Sequence, residues 1–357
     1  MIKYLKGLDT LRAIAALVVV WGHVELLKVI NRSENVTDAS NIDLNIPSRH
    51  IAVILFFVIS GFLITYLLVK EKEKNGNISF KKFYLRRILR IWPLYYIVIL
   101  LSFLFFKADY TPTSAILCLT IFPNIAHAIG EGWSTSPQIW SIGVEEQFYL
   151  FWPLILAFLP VKRITLFIIL FFIGYSLLPH VIAFINVRTL QSDDLSHFVN
   201  KFFYGTKFNC MAIGALIGFL YAKKSKVLHY IRHKVIAYSS IVLSVALWGF
   251  GFEMAHFTDE FFSILFAIAL YNIVDNPRIH IDTKISSFIG KISYGIYMYH
   301  WIIMLFAFKF IPLSENSFLY NLSLYTFVFG GTILISWLSY ISIEKYFLDI
   351  KKRFETK

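Results

Sequence analysis

The chain has 357 residues, 57% of them hydrophobic and only 16% charged, and its mean hydropathy is +0.65. A soluble domain carries about a quarter of its residues as charges, so a water-soluble globule is excluded, and no run of short alternating strands supports a spanning barrel. The net charge of +12 would suit a nucleic-acid binder, but the cations collect in one set of loops between apolar blocks, which implies a membrane protein and no nucleic acid.

The first apolar segment runs from Gly7 to about residue 30 and carries Asp9, Arg12, His23 and Glu25. Ionisable groups at membrane depth are costly and mark a site by default. Arg12 and His23 are eleven positions apart, which returns to nearly the same helix face at a separation of roughly 16 Å. The second segment is 51–69, with Ser60-Gly61 at its middle, and a strongly basic loop from Lys70 through Arg87 follows. The third begins at Arg90-Ile91-Trp92-Pro93 and continues to 106, and the short apolar stretch 114–129 is broken by Pro123-Asn124. Segments four to ten are expected at 138–160, 164–178, 208–222, 235–252, 261–274, 285–310 and 319–343, with polar loops at 31–49 and 180–201.

Basic residues cluster at the N-terminus, after the second, fourth, sixth and eighth segments, and in the tail Lys351-Lys352-Arg353. The opposite loops hold Glu34, Asp38, Asp43, Asp109, Asp193, Asp194, Glu253, Asp259, Glu260 and Glu315. The positive-inside rule then places both termini in the cytoplasm, with about ten helices. Parity requires 114–129 to return to its own side as a re-entrant or surface element. The expected fold is all-α and polytopic, one transmembrane domain over 1–357 with no separate soluble domain. No cleavable signal is expected, and Cys118 and Cys210, both in apolar surroundings, suggest neither a disulfide framework nor a zinc site.

Three groups of residues can carry chemistry. His23 is an imidazole that titrates near neutrality and can take a proton from a hydroxyl, with Arg12 on its face and Asp9 placed to neutralise that guanidinium. Arg86, Arg87 and Arg90 stand at the cytoplasmic mouth of the third segment. Topology bias alone produces arginines there, but Arg90 already lies within the apolar run, and guanidinium forks bind phosphates. Trp140-Ser141-Ile142-Gly143-Val144-Glu145-Glu146-Gln147-Phe148-Tyr149 sets two carboxylates in a membrane helix, with Ser141 and Glu145 on one face and Glu146 about 100° away. One carboxylate can orient His23 or bind an acceptor hydroxyl while the other pairs with a cation. His300, in Ser293-Tyr294-Gly295-Ile296-Tyr297-Met298-Tyr299-His300, is a second histidine at membrane depth. His127, His180, His197 and His256 are expected at the surface, and no metal-ligand spacing is present in the sequence.

These motifs in this order resemble the acyltransferase-3 family of integral-membrane O-acyltransferases, over essentially the whole chain. Arg12 followed by His23 is similar to its Arg-x10-His signature, Phe56 to Leu63 to its second-helix motif, Arg87-Ile88-Leu89-Arg90 to its Arg-x-x-Arg segment, and Trp140 to Tyr149 to its Trp-Ser-x-x-Val-Glu-Glu-Gln-Phe-Tyr element. Ser293 to His300 and Ile343-Glu344-Lys345 echo its last two helices. The resemblance implies ten helices in the bacterial inner membrane, acetyl-CoA as donor from the cytoplasm, and an extracytoplasmic surface glycan such as lipopolysaccharide O-antigen as acceptor. It implies His23 as the essential imidazole, acting as general base or transient acyl carrier, with Arg12, Arg87 and Arg90, and Arg86 beside them, as donor-binding groups. Glu145 then serves catalysis, with Asp9, Ser141, Glu146 and His300 in acceptor binding or support. Tyr346 departs from the usual proline after Glu-Lys, and Lys207 stands where arginine is common. The rival from another class is a proton-coupled transporter or flippase of a glycan or lipid-linked precursor, using Arg12, His23 and the glutamates as a proton relay.

Overall fold

The computed structural model describes residues 5–31, 47–106, 110–312 and 317–354. The loop acids Glu34, Asp38, Asp43, Asp109 and Glu315 lie outside the described residues, with most of the 31–49 loop. Every regular element among the described residues is helical, and six helices or helix runs are long and apolar enough to cross a membrane.

The chain opens with α1 (Leu8–Ile30), α2 (Arg49–Asn75) and α3 (Phe80–Phe105). Gly7 enters α1 at φ 79°, where a side chain would be strained, and its amide donates to Asp282 Oδ2 at 2.8 Å. Thr10 Oγ1 donates to the other oxygen of that carboxylate at 2.7 Å, so the first turn of α1 is tied to the far end of the chain. α2 continues past the expected 69 to Gly76, which closes it in the left-handed conformation at φ 76°. α3 begins ten residues before the expected start, because Ser79 precedes a run of strong helix formers with an amphipathic pattern. Arg86 and Arg87 therefore sit on the same helix as Arg90 rather than in a loop, and the faces of all three are fixed.

The interrupted stretch 114–129 forms two short helices, α4 (Pro112–Leu119) and α5 (Pro123–Ala128), each with proline in its first turn. Thr111 caps α4 by accepting from the Ser114 amide. They turn back at Ile121, which has φ 66°, and α5 lies on α6 (Trp140–Phe158) through a reciprocal amide pair between Asn124 and Gln147. α7 (Val161–Ile185) runs through Pro179, and the expected loop 180–201 is instead a π-type turn followed by α8 (Asp193–Gly205). Ser192 caps α8 while Asp193 and Asp194 fill its first turn, a start signal that reads as loop polarity in sequence.

Next come α9 (Phe208–Ala222), α10 (Val227–Ile231), α11 (Lys234–Gly249) and α12 (Thr258–Asp275). The expected ninth helix is broken at Ile292 into α13 (Lys284–Lys291), opened by a Thr283–Ser286 capping box, and α14 (Ser293–Phe310). α15 (Ser317–Ser339) passes through a π-type turn at Tyr340–Glu344 into α16 (Lys345–Lys352).

α2 is the axis of the bundle, and its contact with α9 is the most extensive in the fold. The two backbones touch through glycine. A Cβ on Gly61 would collide with the Met211 carbonyl, one on Gly214 with that of Val58, and one on Gly218 with that of Phe62. Gly214→Leu should therefore force α9 off α2, a steric cost of about 1–3 kcal/mol or more. Size-exclusion chromatography and thermal melting in detergent would show loss of the folded monodisperse species.

Two apolar cores result. The larger is built on α2, α3, α6, α9 and α12, and the smaller on α1, α14 and α15. Polar residues gather where the two meet.

Candidate active site

α1, α2, α3, α6 and α14 converge on a partly open cavity. Its wall includes Arg12, Phe56, Phe57, Ser60, Arg87, Arg90, Ser141, Glu145, Tyr149, Tyr294 and Tyr297. Three guanidiniums thus face one carboxylate, a formal excess of two positive charges (three minus one) in an otherwise apolar wall.

That carboxylate is held rather than free to pair. Ser60 Oγ donates to Glu145 Oε1 at 2.8 Å and Tyr149 Oη to Oε2 at 3.1 Å. Arg12 leans on Asp9 at 3.7 Å, as its spacing suggested. Arg87 and Arg90 have no carboxylate within ion-pair distance among the described residues. Arg87 is instead stacked over the rings of Phe83 and Tyr149 at 5.7 and 5.3 Å, with its buried Nε unbonded. Half-buried guanidiniums without a carboxylate in contact suit an anionic ligand.

Of the residues singled out in the sequence, Arg12, Arg87, Arg90, Ser141 and Glu145 line this space and the others do not. Arg86 turns away, donating to Glu71 Oε2 at 2.8 Å and to the Phe354 carbonyl at 2.9 Å. Glu146 accepts from Trp92 Nε1 at 2.8 Å on the neighbouring face of α6. Glu25 is neutralised by Lys28 at 3.1 Å in a buried pair that Tyr325 also joins. No described contact joins Glu145 to His23, so the carboxylate does not orient the imidazole.

His23 stands one side-chain layer behind the cavity. Its Nδ1 lies 3.0 Å from His300 Nε2, the two rings stack with 12° between their planes, and the Trp301 ring meets His23 edge-on. His300 Nδ1 in turn lies 2.6 Å from the Tyr297 carbonyl, while the Tyr297 hydroxyl bonds Ser141 at 2.6 Å within the cavity wall. His300 is fully buried and His23 half-buried.

A second polar group lies at the end of the bundle away from the arginines. Asp259 Oδ2 binds His50 Nε2 at 2.9 Å and Lys207 Nζ at 2.7 Å, joining the starts of α2, α9 and α12. Beside it Asn209 donates to Glu260 Oε1 at 2.6 Å, and a groove of about 830 Å³ runs past Tyr175, His180, Asn200, Phe203, Lys207, His256 and Glu260. Arg49, next to His50 in the chain, packs on Gly22, the neighbour of His23 in α1. His180, His197 and His256 are exposed as expected, whereas His127 is half-buried near the Trp140 ring. Ser60, Tyr149, Tyr297, His50 and Asp259 were not evident from sequence, where the first three read as ordinary helix residues and the last two as loop residues. Asp259→Ala should cost about 3–5 kcal/mol, because Lys207 and His50 lose their shared carboxylate. Thermal melting of the purified variant measures it.

The fold and cavity define a multi-pass helical membrane protein with a cationic intramembrane pocket and a paired-histidine centre beside it. A sequence profile of the acyltransferase-3 acyltransferase domain matches residues 5–341, and the chain belongs to that family. A Staphylococcus aureus (strain COL) protein whose name carries a provisional O-acetyltransferase assignment is 28% identical over 97% of this chain and 57% of its own length. The peptidoglycan O-acetyltransferase OatA of Listeria monocytogenes is 26% identical over 96% of this chain and 55% of its own. The O-acetyltransferase OatA of Staphylococcus aureus is 27% identical over 85% of this chain and 51% of its own. The chain spans about half the length of the curated relatives it matches. No solved structure matches.

Proposed function

We propose that the chain is an O-acetyltransferase that takes an acetyl group from acetyl-CoA in the arginine-lined cavity and delivers it to a hydroxyl of a surface glycan. The observation that carries this reading is the pair Arg87 and Arg90, which line the cavity with no carboxylate partner among the described residues. Guanidinium forks match phosphate oxygens, and coenzyme A carries several of these on a long flexible arm. With the phosphates on Arg87, Arg90 and Arg12, the arm runs along α1 past Phe56 and Tyr297 toward His23. The roughly 16 Å between Arg12 and His23 is the length it has to cover.

The acceptor approaches from the opposite end, past the Asp259 cluster. Its hydroxyl oxygen bonds to the acetyl carbon as the carbon–sulfur bond breaks, and its proton passes to the free nitrogen of His23 and then to the departing thiolate. Base catalysis is favoured over a transient acetyl-imidazole because it needs no further intermediate. Ser60 and Tyr149 brace Glu145 at the donor wall, and the bonded pair Ser141 and Tyr297 flanks the path from the arginines to the base.

Six helices or helix runs are long and apolar enough to cross a membrane and α11 is a shorter apolar one; a bundle of ten crossings further requires α6, α12 and α14 to span. With the arginine mouth in the cytoplasm, both termini lie there and the membrane is the cytoplasmic one. The relatives' names favour peptidoglycan as the first acceptor to test, beside lipopolysaccharide O-antigen. The test is transfer of label from acetyl-labelled CoA to each glycan by protein purified in nanodiscs. Glycan movement without acetyl-CoA, and no labelled glycan with it, would replace this reading by the transporter.

A further inference from the structure

The hydrogen-bond partners of the two histidines fix where their protons lie. The Tyr297 carbonyl oxygen can only accept, so His300 Nδ1, 2.6 Å away, must carry a hydrogen. A neutral His300 then has a bare Nε2, which can only accept from His23 Nδ1 at 3.0 Å. His23 is thereby left with its hydrogen on Nδ1 and a lone pair on Nε2, for which the described residues supply no partner.

The neutral state follows from the surroundings. The rings are faced by each other and by Trp301 and Tyr297, with no carboxylate in contact among the described residues. An imidazolium there would lie among apolar rings without a counter-ion. From this geometry we infer that His300 is a positioning residue: it holds His23 in the Nδ1–H tautomer, so that Nε2 is the atom that meets the acceptor alcohol. A carboxylate commonly plays this part for a reactive histidine, but here a second histidine anchored on its own helix does so without adding charge. The anchor also belongs to the cavity, since Tyr297 holds His300 by its carbonyl and lines the donor space with its ring.

This assignment rests on the reading of His23 as the base, and the experiment separates the two. His300→Leu keeps bulk and removes the acceptor, while His300→Gln restores an oxygen near the position of Nε2. Each is assayed in nanodiscs for kcat and for KM toward acetyl-CoA, alongside ¹⁵N NMR of the His23 ring in the native protein. The Leu variant should lose about 10–100-fold in kcat with KM unchanged, as outer-shell partners of reactive histidines do. The Gln variant should recover to within a few-fold of the native protein, and the native spectrum should show a protonated Nδ1 and a bare Nε2. A native spectrum with the hydrogen on Nε2, a Leu variant with undiminished kcat, or a Gln variant as impaired as Leu overturns the role of His300. Transfer that survives His23→Ala overturns the base reading instead. Should the Leu variant fail to fold, the native spectrum and the Gln variant still decide.

Discussion

His23→Ala should leave a folded protein that binds coenzyme A normally and transfers no measurable acetyl group. Removing a positioned general base costs about 10²- to 10⁴-fold in rate, and no other described titratable side chain contacts His23 to take its place except His300, whose Nε2 is buried. The loss belongs in kcat, because His23 is not among the residues lining the cavity in which the donor is proposed to bind. Single-turnover kinetics with labelled acetyl-CoA checks both halves of this expectation, and a His23→Ala protein with near-native transfer would sink the mechanism. The native protein tests the covalent alternative: incubation with labelled donor and no acceptor should leave His23 unlabelled if it acts as a base.

Arg87→Ala and Arg90→Ala should each weaken coenzyme A binding by about tenfold to a hundredfold, the equivalent of about 1.5–3 kcal/mol for a hydrogen bond to a charged group. Arg86→Ala is the internal control. It lies on the same turn of α3 and carries the same charge, yet it is consumed by Glu71 and the Phe354 carbonyl. Its removal should spare donor affinity and lower thermal stability. Calorimetric titration of the three variants with coenzyme A distinguishes a phosphate cradle from a boundary charge left by topology. Equal losses for all three would mean that only the bulk field of the arginines matters.

The sequence identified these arginines without ranking them. Their spacing on a helix shows that Arg87 and Arg90 are neighbours, but which of three adjacent guanidiniums is already paired depends on Glu71 in α2 and on the end of the chain. The carboxylates followed the same pattern. Helical periodicity correctly set Ser141 and Glu145 on one face and Glu146 on another, and both of the first two line the cavity. It did not reveal that Ser60 and Tyr149 both donate to Glu145. His300 stood out only as a histidine at membrane depth, since its partner is 277 residues away in the chain. The cluster at Asp259 was read as loop charge, because an acidic residue at the start of an apolar helix looks the same whether it meets water or a buried lysine.

Helix breaks were the other limit. The break at Ile292 and the helical course of 180–201 turn on caps and short-range hydrogen bonds, and the early start of α3 on an amphipathic run, none of which hydropathy blocks register.

Long apolar blocks, the bias of basic residues to one set of loops and the few ionisable groups inside the blocks were determined by the chain itself, because lipid demands that every backbone group be satisfied within its own helix. Those constraints act locally, so they can be read one segment at a time. Which guanidiniums lack a counter-ion, and which nitrogen of His23 carries its hydrogen, were decided only when α1, α2, α3, α6 and α14 packed together. A charge or a proton is placed by its neighbours in space, and glycine contacts such as Gly214 on Val58 settle which neighbours those are.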